Sequence, residues 1–106
     1  MPDDVRQILT RMKSGLASMY GPRLRGVWLF GSRARGDAAL DSDLDILIAL
    51  DRIEDYFQEI DRTGPLASTL SLQHGVSISR IFIAQDDWDH GDSPFLDAVR
   101  KEAVAA

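Results

Sequence analysis

Two aspartates flank a leucine at the start of an apolar segment, in the sequence Asp43-Leu44-Asp45. Side chains two residues apart on a β-strand point to the same face, roughly 6.6 Å apart along the chain. Carboxylates at this separation repel each other, and burying either one is costly unless something pairs with it. Mg²⁺ binds carboxylate oxygens and completes its shell with water and substrate phosphates. Asp43 and Asp45 are therefore candidate metal ligands, although two alternating aspartates are a weak signal by themselves.

A phosphate-binding turn is predicted at Gly31 and Ser32, which directly follow the apolar segment 26–30. Glycine lets a phosphate approach the backbone closely, and a serine at the start of a helical turn supplies a hydroxyl and a backbone N–H. Arg33, the next residue, is expected to balance phosphate charge. If the segments that carry the two motifs are neighbouring strands, phosphate and metal sites lie side by side.

Positive charge is concentrated around this turn, within a chain whose net charge is -5. A local excess of this kind attracts phosphate-bearing ligands. The alternative is a basic face exposed to solvent, and that alternative is favoured for Arg35. The four arginines concerned are Arg23, Arg25, Arg33 and Arg35.

The hydrophobic pattern predicts the helices and strands that position these residues. Apolar residues recur at helical spacing from Val5 to Met19, and Gly21-Pro22 ends that helix. An amphipathic helix begins at Ile53, and Thr63-Gly64-Pro65 interrupts it, because proline favours the first turn of a new helix, here 66–73. Ser93-Pro94 begins the last helix. Strands are predicted over 26–30, 44–50 and 76–84, a helical turn over 32–35 and a loop over 36–42.

The order helix, strand, strand, helix, strand, helix predicts an α+β fold, in which helices pack on a small mixed β-sheet. The chain has 106 residues, and no linker divides it, so residues 1–106 are expected to form a single domain.

Composition excludes or disfavours several classes of function. The chain has no cysteine and only two histidines, which excludes disulfides and disfavours a structural zinc site. No apolar run approaches the roughly 20 residues that span a bilayer, and the N-terminus lacks the core of a signal peptide, so the expected location is the cytoplasm and no membrane is expected as a partner. The net charge of -5 and the lack of an aromatic stacking motif argue against nucleic acid as a partner.

The combination of motifs is more specific than either motif alone. Gly31-Ser32, ten intervening residues and Asp43-Leu44-Asp45 together resemble the signature of the polymerase beta-like nucleotidyltransferase superfamily. The filler "RARGDAALDS" is similar to that of its minimal nucleotidyltransferases. The C-terminal "PFLDAVRKEAVAA" resembles the ending of small members encoded beside a helical HEPN-domain partner. The resemblance covers almost the whole chain.

The resemblance implies a nucleotidyltransferase fold and a role for each motif residue. It implies that Gly31 and Ser32 hold the triphosphate of ATP or another nucleoside triphosphate, and that Asp43 and Asp45 are catalytic and bind Mg²⁺ or Mn²⁺. The implied reaction transfers a nucleoside monophosphate, in the first instance AMP from ATP, to an acceptor hydroxyl. The acceptor and the base preference stay open.

One expected residue is absent from the pattern. Active members of the superfamily carry a third carboxylate on the next strand, where it ligates one metal and helps to deprotonate the acceptor. The aligned positions here hold Ser77 or Ser79, and a hydroxyl is a poor base and a weak magnesium ligand. Asp86 and Asp87 follow that strand but are predicted to lie too far away, as part of a turn before Trp88.

Two functions from different classes are therefore compatible with the sequence. The first is an enzyme, a magnesium-dependent nucleotidyltransferase that modifies a helical HEPN-type partner as the antitoxin of a toxin–antitoxin pair. The alternative is a catalytically impaired protein of the same fold that binds nucleotide or docks on its partner. The segment 95–104 is amphipathic, and a partner contact and packing on its own sheet are equally compatible with its pattern.

Overall fold

The structure, a computed structural model, describes residues 2–36 and 43–106. A 3-10 turn at Gly21–Arg23 joins the first helix to the first strand. The elements, in chain order, are α1 (Asp3–Tyr20), β1 (Leu24–Phe30), α2 (Ser32–Arg35), β2 (Leu44–Leu50), α3 (Tyr56–His74), β3 (Ile78–Ala84), α4 (Gln85–His90), α5 (Pro94–Glu102) and β4 (Val104–Ala105).

The four strands form one mixed sheet in the order β3-β2-β1-β4. β2 pairs antiparallel with β1 and parallel with β3, and the short β4 pairs antiparallel with β1. This arrangement confirms the predicted α+β fold with a small mixed sheet. None of the helices in the described part of the chain is long and apolar enough to cross a membrane.

The two faces of the sheet are covered differently, because alternate residues of a strand point to opposite sides. One face of β2 bears Leu47, which packs with residues of α4 and α5 such as Trp88 and Val99. Asp45, two residues before Leu47, lies on this same α4–α5 face. The other face of β2 packs against α1 and α3 in the larger core cluster, through Leu44, Ile46, Ile48 and Leu50.

The prediction that α3 is interrupted was wrong, because the helix continues through Pro65. Its apolar side carries Thr63, Ala67 and Leu70, which are buried on both sides of the proline. The Thr63 hydroxyl donates to the carbonyl oxygen of Glu59 at 2.9 Å. Packing of this continuous face outweighs the cost of about 3 kcal/mol that a proline imposes on a helix interior.

The C-terminal region also departs from the prediction. Asp86 and Asp87 belong to the short helix α4 instead of a turn, and β4 was not predicted. The segment 95–104 packs on its own sheet through Val99 and through Phe95, whose ring meets that of Phe30 edge-on, which is one of the two alternatives that its pattern allowed. The predicted loop over 36–42 lies outside the described residues except for Gly36.

Candidate functional site

Three strand termini meet at one end of the sheet. In the antiparallel pair, Phe30 at the end of β1 lies opposite Asp45 at the start of β2. In the parallel pair, Asp45 lies beside Ser79 at the start of β3. The predicted phosphate-binding turn, the two aspartates and the two serines are therefore brought to the same end of the sheet.

The glycine of the predicted turn lies directly against Asp45. Gly31 has a φ of 76°, a backbone conformation that favours glycine, and a Cβ atom built on it would collide with Oδ2 of Asp45. The absence of a side chain at Gly31 thus allows the turn and the carboxylate to approach each other. The antiparallel pairing of β1 and β2 brings the two motifs into contact, although ten residues separate Ser32 from Asp43 along the chain.

The short helix α2 follows Gly31 and carries the other predicted phosphate contacts. The Gly31 carbonyl accepts hydrogen bonds from the N–H groups of Ala34 at 3.1 Å and Arg35 at 3.2 Å, so the turn is closed on itself. Ser32 and Arg33 occupy the first two positions of α2 and are both half-buried. Their proposed roles toward phosphate stay predictions.

The two aspartates differ in their environment. Asp43 is exposed, whereas Asp45 is half-buried on the α4–α5 face. Burial raises the pKa of the Asp45 carboxyl, and the negative charges of Asp43 and Glu102 add to that effect, while Arg35 opposes it. Negative charge is thus crowded around Asp45.

This donor set fits the predicted divalent cation. Two carboxylates two residues apart at the start of β2 supply the hard oxygen ligands that Mg²⁺ prefers, and the crowding around Asp45 is what a cation would relieve. The described residues include no cluster of three or more acidic, histidine or cysteine side chains able to hold a metal ion. Mg²⁺ usually completes its coordination shell with water and substrate phosphate, which would join the two carboxylates here.

The position predicted for a third carboxylate is occupied by serine. Ser79 pairs with Asp45 in the parallel register, so the two side chains lie on the same face of neighbouring strands. Ser77 lies just before β3, and its carbonyl oxygen accepts a hydrogen bond from the N–H of Leu44 at 2.9 Å. Both serines are exposed. Of the two, Ser79 is the residue that the register places beside Asp45.

Glu102 also belongs to this region, although no sequence motif indicates it. It is the last residue of α5. Its Oε1 accepts a hydrogen bond from the N–H of Gly31 at 3.1 Å, and its Oε2 lies 2.8 Å from Nη1 of Arg35. No local pattern could have revealed these contacts, because 71 residues separate Glu102 from Gly31.

The prediction of one basic cluster was wrong. Arg25 lies near the start of β1 and Arg23 in the turn just before it, whereas Arg33 and Arg35 follow the end of β1, about 20 Å away for a strand of this length. Arg23 instead bonds Asp51 at 3.0 Å at the far end of the sheet. Arg35, for which solvent exposure was favoured, is half exposed but forms an ion pair with Glu102.

The amino-acid sequence is similar to proteins of a known family. The family model described as "Polymerase beta, Nucleotidyltransferase" matches residues 16–89. The chain is 37% identical over 71 residues to the protein adenylyltransferase MntA of Thermococcus cleftensis, covering 67% of this chain and 70% of that protein.

Solved structures share the fold. A chain from a crystal structure of a toxin–antitoxin with AMP-PNP superposes with a TM-score of 0.62 at 19% identity, covering 89% of this chain and 68% of that one. A chain from a mutant of the toxin–antitoxin MntA-HpeT superposes with a TM-score of 0.59 at 18% identity, covering 88% of this chain and 68% of that one.

Proposed function

Because the chain belongs to the polymerase beta nucleotidyltransferase family, we propose that it is a magnesium-dependent nucleotidyltransferase that transfers AMP from ATP to an acceptor hydroxyl. The observation that carries this proposal is the contact between the Gly31 turn and Asp45 at one end of the sheet. A phosphate-binding turn and a metal-binding carboxylate must be neighbours if one Mg²⁺-bound triphosphate is to engage both.

The proposed reaction is a substitution at the α-phosphorus of ATP. The acceptor oxygen bonds to that phosphorus while the bond to the β-phosphate oxygen breaks, so pyrophosphate leaves and the hydroxyl proton passes to a base. Gly31, Ser32 and Arg33 would orient the triphosphate, and Asp43 and Asp45 would hold the cation. When bound, the cation would supply charge neutralisation on the phosphate oxygens.

The acceptor is proposed to lie on a partner protein. The described part of the chain is used to build one sheet and its covering helices, and transfer requires an acceptor hydroxyl held near the phosphate. The name of the MntA relative describes a protein adenylyltransferase, and the structural neighbours are toxin–antitoxin proteins. We therefore propose a helical HEPN-type protein as the partner, with this chain as the antitoxin.

A second candidate function is supported by Ser79. Ser79 lies beside Asp45 in the strand register, which makes it the candidate for the position at which the resemblance implies a third carboxylate in active members. General-base catalysis is typically worth about 10²–10⁴-fold, so a site without this base is expected to be slow. The alternative is a protein that binds nucleotide or docks on its partner with little turnover.

The proposal is tested with Mg-ATP and two double variants. Mg-ATP is expected to raise the melting temperature, because a ligand that binds only the native state stabilises it. Asp43→Asn with Asp45→Asn should abolish the magnesium dependence of that rise. Asp86→Asn with Asp87→Asn removes the same number of charges from two exposed residues of α4 and should retain it. An unchanged response in the first double variant would refute the metal assignment.

Transfer itself is measured with ATP labelled at the α-phosphate and a coexpressed HEPN-type protein. Label on the partner, lost in the Asp43→Asn and Asp45→Asn double variant, would support the enzyme. Magnesium-dependent ATP binding without transfer to the partner would support the second candidate instead.

A further inference from the structure

We propose that Glu102 is a positioning residue that holds the turn 31–35 in the shape in which it binds phosphate, an inference that rests on the proposed function. One carboxylate reaches both ends of this turn, because Oε1 accepts from the Gly31 N–H at 3.1 Å and Oε2 pairs with Arg35 at 2.8 Å. The turn itself contains only one four-residue helix, α2, which is too short to be stable alone.

The backbone around Glu102 is anchored to the strand that precedes the turn. Val104 and Ala105 pair with Leu29 and Trp28 of β1, and the N–H of Ala106 donates to the carbonyl oxygen of Val27 at 2.9 Å. Glu102, the last residue of α5, thus lies two residues before the segment that is hydrogen-bonded to β1, and it contacts the turn where β1 ends. The Glu102 side chain is only 20% exposed, which favours a fixed geometry for both contacts.

The same contact is also compatible with the opposite role. The two roles predict opposite changes in nucleotide affinity when Glu102 is removed. A carboxylate on the Gly31 N–H could act as a competitor that phosphate must displace. Positioning is favoured because the Glu102 carboxylate contacts both ends of the turn: one oxygen bonds the Gly31 N–H and the other pairs with Arg35. Removal of a positioning residue weakens nucleotide binding, whereas removal of a competitor tightens it.

The test compares Glu102→Gln and Glu102→Ala with the wild type by calorimetric titration with Mg-ATP. Glutamine keeps an oxygen that can accept from Gly31 but loses the ion pair, so binding should weaken less than in the alanine variant. A lost charge-assisted hydrogen bond corresponds to about a tenfold or larger weakening in the alanine variant. Asp97→Asn removes one exposed charge from the same helix and should bind like the wild type. Tighter binding in either Glu102 variant would overturn the proposal.

Amide hydrogen exchange tests positioning without nucleotide. Glu102→Ala should speed the exchange of the Ala34, Arg35 and Gly36 amides, which are hydrogen-bonded within the turn, and leave the amides of α1 unchanged. If their exchange is unchanged, the positioning proposal fails, whatever the nucleotide result. If exchange speeds up but the wild type does not bind Mg-ATP, the turn is held by Glu102 and the proposed function is what fails.

Discussion

Gly31 and Asp45 face each other across the end of the β1–β2 pair, and no side chain larger than hydrogen fits at Gly31 without collision with the Asp45 carboxylate. The glycine is thus required by the aspartate itself, independently of its proposed role toward phosphate. The contact joins the Gly31 turn to the aspartate motif, so the effects of substitutions at Gly31 and Asp45 on stability should depend on each other.

Gly31→Ala is expected to destabilise the protein by more than Gly36→Ala. Both glycines have positive φ, but Gly31 (φ 76°, ψ -160°) lies in a region essentially restricted to glycine, whereas Gly36 (φ 79°, ψ 12°) lies in the left-handed helical region, so alanine carries more backbone strain at Gly31. A Cβ at Gly36 meets nothing within 4 Å, whereas one at Gly31 collides with Asp45. The free energies of unfolding, measured in urea, give the difference. The Asp45→Ala background removes the collision and leaves only the difference in backbone strain, so the excess cost of Gly31→Ala should shrink there. An excess that is unchanged in that background would contradict the contact.

Stability should depend on pH through Asp45. Its folded-state pKa is raised, chiefly by burial and then by Asp43 and Glu102, so the folded chain holds this proton to higher pH than the unfolded chain does. Between the unfolded and the folded pKa, stability therefore falls as pH rises. Asp45→Asn should remove this fall and melt higher than the wild type at pH 7 without metal.

The measurement is the melting temperature between about pH 4 and pH 7 in the presence of a chelator. Asp61→Asn, on the exposed side of α3, removes one charge elsewhere and should keep the wild-type pH dependence. If the melting temperature of Asp45→Asn changes with pH as that of the wild type does, the surroundings do not destabilise the charged form of Asp45.

Ser79→Asp is expected to increase nucleotidyl transfer, because it restores a carboxylate beside Asp45. The gain should approach the range of about 10²–10⁴-fold that a general base supplies. Ser79→Asn has nearly the same shape without the base and serves as the control, and Ser77→Asp tests the second candidate position. Initial rates with labelled ATP give the comparison. A wild-type rate that Ser79→Asp does not raise would mean that another group supplies the base.

Glu59→Ala should lower stability without altering Mg-ATP binding. Glu59 is 4% exposed and accepts a hydrogen bond from the Tyr20 hydroxyl at 2.8 Å. It also lies 3.0 Å from Arg62, at the end of the sheet opposite to Asp45. The variant leaves a buried hydroxyl without this partner, at a cost of about 1–3 kcal/mol. Tyr20→Phe removes the same bond from the other side and should cost less. Titration of both variants with Mg-ATP should give wild-type affinity.

The amino-acid sequence by itself determined the local features of this protein. Apolar residues indicated β1 and β2, and residue type and spacing singled out Gly31-Ser32 and Asp43-Leu44-Asp45, because strand periodicity and motif spacing are written in neighbouring residues. The family that the motifs indicated and the α+β fold that the order of elements predicted are both confirmed. The roles of the motif residues stay predictions.

Only the tertiary structure decided which distant residues meet. Glu102 reaches Gly31 across 71 residues because β4 pairs with β1, and two residues of strand are too short for a periodic pattern to reveal. The strand register placed Ser79 beside Asp45. Packing of the buried side of α3 carried the helix through Pro65 against the local preference of proline. In each case the structure is determined by the free energy of contacts between segments that are distant in the sequence, and a local sequence pattern gives no information about these contacts.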